Sequence, residues 1–271
     1  MSIGLGIATM SSLINLLRTL LPRPIKQAFK KLFGLPEARL HADWSILNGI
    51  GPVAEHHVVL DLGARNGWFF SNWKAWCKSA EIYAFEPDLA AYEKLVQRYK
   101  SDSSIHISQY GIGEEQGIEK FYYMAGSEVS SSFLKHNTQV WDQLKYDTGE
   151  VEQRELKITT VDKYTEKHRI EAVFLIKIDI QGYEMRALRG ADKTLLNTSY
   201  VLVESSIQPL YQDASSFTEV HDYLVSNGFH LINWRAWHRG NEVLMETDML
   251  FRKNELAPDV DEHSNFDRKY I

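Results

Sequence analysis

The sequence predicts an α/β protein: a mostly parallel, seven-stranded sheet with helices on both faces. Three observations predict it. Short β-branched runs alternate with helical stretches from about residue 55 onward. The runs are continuously apolar rather than alternating, as strands covered on both sides are. Two of them end where a carboxylate meets a glycine turn, DLGARNG at Asp61 and DIQG at Asp179, and such sheets bind ligands at the carboxyl ends of their strands.

The elements follow in order. HVVLDLG (His57 to Gly63) is the first strand and NGWFFSNWKAWCKSA the helix behind it. EIYAFEP is the second strand, and DLAAYEKLVQRYK a helix with Asp88 as its cap. SIHISQYGIG reads as one strand, the third. EKFYYMA and ELKITTVDKY read as strands flanking a long irregular insertion, residues 125–153, with the character of a lid or binding loop. EAVFLIKID is the fourth strand of the main series, followed by one helix, YEMRALRGADKTLLN. YVLVESS is the fifth, followed by helix SFTEVHDYLVSNG; FHLINW and EVLMETDMLFRK close the sheet as an antiparallel pair. The main domain therefore spans residues 50–254, between an N-terminal segment, 1–49, and a polar tail, 255–271.

Charge separates the N-terminal segment from the rest. Arg18, Arg23, Lys26, Lys30 and Lys31 give residues 1–36 a charge of +5, which leaves −11 for the remainder of a chain whose formal charge is −6. An acidic main domain argues against nucleic acid as a partner. Leu13, Leu16, Leu17, Leu20 and Leu21, then Ile25, Ala28, Phe29, Leu32 and Phe33, fall at helical spacing. Two readings stand for these helices. They pack on the main domain or on another subunit of a homo-oligomer, or residues 10–34 lie on an anionic membrane surface. Arg18 ends the apolar run too early for a membrane span, and no basic start or cleavage site marks a signal peptide. Cys77, the single cysteine, permits no internal disulfide and points to the cytoplasm. Cysteine and histidine show no zinc spacing.

The first strand runs into a tight turn at Asp61, Gly63 and Gly67, and the second ends at Glu86, placed to accept both hydroxyls of a ribose. That pairing suits an adenosine-bearing cofactor. The glycines are spaced G-x-x-x-G, with Arg65 in place of a second glycine, and Asp61 would repel phosphate, so a dinucleotide fits poorly. S-adenosyl-L-methionine fits better: its ammonium calls for an anionic partner and it has no phosphate. A nicotinamide cofactor and a fold without cofactor remain the alternatives.

VVLDLGARNGWF, IYAFEPD, TTVDKY, LIKIDIQGYEMRALRGA and YVLVESS together resemble the FkbM-type methyltransferases over about residues 50–252. The resemblance implies a class I Rossmann-like fold, S-adenosylmethionine as cofactor and, most often, O-methylation of sugars and other natural products. It implies that Asp61, Gly63 and Gly67 hold the methionyl part and Glu86 the ribose, with Tyr110, Gly111 and Ile112 flanking the adenine. Arg65 stands where the family usually has Asn, and Gln181 where it usually has Glu.

In that fold the fourth strand ends beside the methyl donor, which makes Asp179 both a cofactor neighbour and the first candidate for general base. Glu204, ending the fifth strand, is the second; His136 and His238 are loop candidates. Glu184 falls in the first turn of the next helix, where an acid complements the dipole. Asp179 and Glu204 could share a divalent cation, but two acids do not define a metal site and none is assigned. Trp237 and His238, in NWRAWHRG between the last two strands, and Trp141 in the insertion are candidates for binding a small-molecule or glycan acceptor, with Arg235 and Arg239 placed to meet an anionic group. No N-P-P-[YF] signature of N-methylation follows the fourth strand. N- or peptide methylation and a non-catalytic scaffold are the competing functions.

Overall fold

The computed structural model describes residues 44–47, 49–50, 53, 56–145, 149–239 and 243–254. The amphipathic helices expected before residue 44, the membrane contact proposed for residues 10–34 and the tail 255–271 lie outside the described residues, as do the side chains of Trp237, His238 and Arg239. Among the described residues, no helix is long and apolar enough to cross a membrane.

Strands β1 (Val58–Leu62) and β2 (Glu81–Phe85) are joined by helix α1 (Trp68–Trp76), and helix α2 (Leu89–Tyr99) leads to β3 (Ile105–Ser108). After β3 come β4 (Gly111–Ile112), β5 (Gly117–Met124), helix α3 (Thr138–Gln143), β6 (Val151–Thr159) and helix α4 (Val161–His168). Strand β7 (Val173–Ile178), helices α5 (Glu184–Arg189) and α6 (Asp192–Leu196), strand β8 (Thr198–Ser206), helix α7 (Phe217–Ser226) and the hairpin β9 (Phe229–Arg239) and β10 (Val243–Lys253) complete the order.

The main sheet has the order β3-β2-β1-β7-β8-β10-β9. The first five are parallel, and β10 runs antiparallel to both of its neighbours. Strand order reverses between β1 and β7, so the switch-point crevice opens at the ends of those two strands. Leu60, Leu62, Ile176, Ile178, Val201 and Val203 are buried against Ala187, Leu188, Val220 and Leu224 of α5 and α7. On the other side, α1 packs Phe69, Phe70 and Trp73, all buried.

The structure departs from the expected elements in four places. SIHISQYGIG is not one strand: the chain turns at Gln109 and Tyr110, and Gly111–Ile112 joins a second sheet of order β4-β6-β5. TVDKY is the start of a helix, because Thr160 caps α4 by accepting from the Lys163 N–H at 3.0 Å. YEMRALRGADKTLLN forms two helices, divided at Gly190, where a Cβ would come 2.1 Å from the Gly113 carbonyl oxygen. NWRAWHRG is not a connection between the last strands, since Asn233 to Arg239 lie within β9.

The turn after β1 holds the switch point together. Gly63 has φ +84°, and a Cβ there would lie 2.0 Å from the Asp179 carbonyl oxygen at the end of β7. Gly63→Ala is therefore expected to lower the unfolding free energy by about 3 kcal/mol, from backbone strain plus overpacking. Urea unfolding measures this; a loss below about 1 kcal/mol would show that the turn can move aside.

Candidate active site

A buried ion cluster sits at the switch point. Asp61 and Lys177 are partners across the β1–β7 ladder. The Lys177 Nζ lies 3.2 Å from Asp61 Oδ1 and 3.3 Å from Asp179 Oδ2, and donates to the Gly63 carbonyl at 3.1 Å. Burial works to lower the pKa of Lys177, but the charges of Asp179 and Asp61 outweigh it and keep the ammonium protonated. Asp61 is wholly buried, and burial raises its pKa against the pull of Lys177. Neither of its oxygens accepts a well-directed hydrogen bond.

The loop from Gly63 to Gly67 is fastened to the end of β2. The Gly63 and Ala64 N–H groups both donate to the Phe85 carbonyl, at 3.1 and 2.9 Å. Glu86 accepts from Arg65 N–H at 2.8 Å on Oε2 and from Asp88 N–H at 2.9 Å on Oε1. Each oxygen keeps a further lone pair, so the carboxylate could still accept from a ribose diol. Burial pushes Glu86 up to about 7. Arg65 is held at φ 49°, a left-handed conformation that Asn adopts more readily than Arg.

Beside Glu86 opens a cavity of about 440 Å³, lined by Pro87, Tyr92, Ser108, Gln109, Tyr110 and Leu156 among others. Of the three residues expected around an adenine, Tyr110 lines it. Gly111 and Ile112 do not: they are buried in the small sheet, with Ile112 in the main core, because the chain leaves the main sheet after Ser108.

Asp179 is 38% exposed, so its carboxylate is reachable from the crevice. The Gln181 Nε2 donates to Asp179 Oδ1 and to Glu204 Oε2, both at 3.0 Å, and so bridges the ends of β7 and β8. Tyr211 donates its hydroxyl to Gln181 Oε1 at 2.8 Å, and Ser132 donates to the Gln181 carbonyl at 2.7 Å. Protein packed around Asp179 works to raise its pKa; Lys177, with bonds from Glu204 and Gln181, overrides this and holds it below the ordinary carboxylate value. Glu204 is the reverse: burial and the charge of Asp179, with Glu246 and Asp248 behind, push it well above that value. The two carboxyls are thus pushed apart, Asp179 toward the more acidic side and Glu204 toward the less acidic.

Glu184 is more than a dipole partner. It is 2% exposed, and its Oε1 accepts from the N–H groups of Ile180 at 3.2 Å and Gly182 at 2.9 Å, bracing the loop that carries Gln181. Burial pushes it up to about 7.

The acceptor candidates fare differently. Trp141 is no open platform: it is 2% exposed, packs with Leu134, Leu210 and Tyr211, and donates its indole N–H to the Leu210 carbonyl at 2.8 Å. A large aromatic on a short helix found more apolar neighbours than solvent. His136 is half-buried with its ring against Trp141, and burial lowers its pKa. Arg235 is committed to Asp248, with Nη2 to Oδ2 at 2.5 Å, rather than to an anionic substrate group. Trp237 and His238 pair with Glu246 and Leu244 in the β9–β10 ladder. Among the described residues, no group of three or more His, Cys, Asp and Glu is arranged to hold a metal ion.

Lys177, Gln181, Ser132 and Tyr211 carry this site without having been assigned a role in it from sequence. Lys177 had a signal, a lone charge inside an apolar strand. Tyr211 and Ser132 had none, since each lies some distance along the chain from Gln181.

A parallel sheet with its crevice at the β1–β7 switch point, a glycine turn after β1 and an acid after β2 define a class I Rossmann-like methyltransferase. The family model described as "Methyltransferase FkbM domain" matches residues 61–231, and the chain belongs to that family. It is a methyltransferase dependent on S-adenosyl-L-methionine. A protein of Beauveria bassiana (strain ARSEF 2860) named Methyltransferase 1 is 24% identical over 192 residues, covering 66% of this chain and 75% of that protein. Solved structures with similar folds include magnesium protoporphyrin IX methyltransferase of Synechocystis PCC 6803 with bound SAM, at 9% identity and TM-score 0.43, covering 78% of this chain and 74% of that one. An N-methyltransferase of Bradyrhizobium japonicum WM9 aligns at 14% identity and TM-score 0.43, covering 77% and 89%.

With Glu86 at the ribose, as the sequence leads one to expect, cofactor affinity is expected to depend on pH. A diol donates to the ionised form, so affinity is expected to be full above pH 7 and to fall as pH drops through about 7. Calorimetric titration should show binding about tenfold weaker near pH 6 than near pH 8. Glu86→Gln should bind weakly and lose that part of the slope which belongs to the protein. A variant keeping the full slope would remove Glu86 from the ribose site.

Proposed function

We propose that the protein transfers the methyl group of S-adenosylmethionine to a hydroxyl of a glycan or another small natural product. The observation that carries this reading is Asp179. It is a half-exposed carboxylate at the switch-point end of β7, kept ionised by a buried lysine beside it.

S-adenosylmethionine, when bound, supplies a methyl group on a sulfonium, an electrophile that needs no further activation. The chain's own residues hold and orient. The Gly63–Gly67 turn and Asp61 lie where the methionyl part would sit, Glu86 where the ribose would, and the cavity at Tyr110 is the place for the base. Asp61, wholly buried beside the turn and paired with Lys177, would act on an ammonium group through its charge alone. An acceptor hydroxyl is a weak nucleophile, and Asp179 takes its proton as the new bond forms, an effect worth about 10²–10⁴-fold. Glu204, held well above the ordinary carboxylate value, is the weaker acid of the two and not the first base; the Gln181 amide ties it to Asp179. Alignment of acceptor and donor contributes the larger share, up to about 7–11 kcal/mol.

The test is a screen with methyl-labelled cofactor against sugars and polyols bearing only hydroxyls and, in parallel, against amines. Labelling of hydroxyl acceptors alone is expected. Asp179→Asn should lower kcat by about 10²–10⁴-fold while cofactor affinity holds. Transfer to amines alone would replace this reading with N-methylation. An unchanged kcat in Asp179→Asn would remove the residue as base.

A further inference from the structure

We propose that Gln181 is the positioning residue of this site: its amide holds Asp179 bare and correctly turned, and ties that carboxylate to Tyr211 and Ser132 on the segments that pack over it. The inference deepens the base reading above and rests on it for its link to catalysis.

The geometry admits one orientation of the amide. Nε2 faces two carboxyl oxygens, Asp179 Oδ1 and Glu204 Oε2, each at 3.0 Å, and an amide oxygen in its place would be repelled by both. The amide has two N–H hydrogens, one for each carboxyl. Its oxygen then faces the Tyr211 hydroxyl at 2.8 Å, whose single hydrogen is shared between that oxygen and the Ser130 carbonyl at 2.9 Å. The backbone is committed as well: Gln181 has φ 57°, and its carbonyl accepts from Ser132 Oγ at 2.7 Å. Glu184 braces the N–H groups on either side of it. Gln181 therefore joins the ends of β7 and β8, the insertion through Ser132, and the segment after β8 through Tyr211.

A carboxylate in this place could not do the same. It would have no hydrogen to donate, and it would add a further negative charge beside Asp179 and Glu204. The charged and titratable groups facing the pair are Lys177 on β7, Asp61 on β1, Glu184 on α5, Tyr211 after β8, and Glu246 and Asp248 on β10, with Arg235 on β9 bound to Asp248. Lys177 is the cation in contact with Asp179, and it is shared with Asp61. The neutral amide bridges the two carboxyls without adding charge.

The experiment needs neither cofactor nor acceptor. Side-chain carboxyl ¹³C signals of Asp179 and Glu204, assigned through Asp179→Asn and Glu204→Gln, are followed against pH in the wild type, Gln181→Met and Gln181→Glu. In the wild type Asp179 should titrate below the ordinary carboxylate range and Glu204 well above it. Gln181→Met should raise the Asp179 titration by about one unit, because the hydrogen donated to Asp179 Oδ1 is lost. Gln181→Glu buries a carboxyl whose folded pKa lies above its unfolded value, so its thermal stability should match the wild type in acid and drop as pH rises through that folded pKa. Tyr211→Phe, which keeps the ring, serves if the position-181 variants do not fold, and should shift the Asp179 titration in the same direction by less. Unmoved Asp179 and Glu204 titrations in the variants that fold would overturn the proposal. With an acceptor from the hydroxyl screen, Gln181→Met should lower kcat on the order of 10²-fold at unchanged cofactor affinity. An empty screen would count against the hydroxyl reading and leave the carboxyl result standing.

Discussion

The Lys177 ammonium is the interaction on which the rest of the site depends. It is buried in the sheet and touches three things: the Asp61 carboxylate, the Asp179 carboxylate and the Gly63 carbonyl. Those groups belong to the end of β1, the end of β7 and the turn between β1 and α1. A buried ion with its partners removed would cost about 3–5 kcal/mol, so the three segments are held in one arrangement. The same contact decides chemistry. Asp179 stays ionised because Lys177 is beside it, and Asp61 can be wholly buried for the same reason.

Beyond the reach of Lys177 the acids behave differently. Glu204, Glu246 and Asp248 follow one another at the ends of β8 and β10. Asp248 has Arg235 as its partner. Burial first, and the charge of Asp179 next, push Glu246 up to about 7 and Glu204 well above the ordinary carboxylate value. The crevice thus grades from an acid made stronger beside the lysine to acids made weaker away from it. Gln181 stands at the boundary and can do so because an amide donates without charge.

A second, smaller core supports this boundary from the side of the insertion. Met124, Leu134, Trp141, Ile158, Tyr183, Leu210, Tyr211 and Met245 are buried together. Within it the Trp141 and Tyr211 rings meet edge to face, with centroids 6.1 Å apart. The Tyr211 hydroxyl emerges from it to reach Gln181 and the Ser130 carbonyl. Packing in the insertion is in this way connected to the orientation of a carboxylate in the crevice.

By itself the sequence determined the layered α/β fold, the family and the strand-end acids. Apolar runs of period-free strands, helical spacing and the glycine turn are local patterns, and a strand's end follows from where its pattern stops. Asp61, Glu86, Asp179 and Glu204 were legible for that reason. Local patterns were also misleading where a tertiary contact prevailed: Gly111 and Ile112 left the main sheet, Trp141 turned inward, and Arg235 was taken by Asp248. The ion triad at Lys177 and the amide bridge at Gln181 were decided only in three dimensions. Each joins residues far apart in the chain, such as Asp61 with Lys177 or Ser132 with Gln181, and the protonation of an acid depends on which charges folding brings near it.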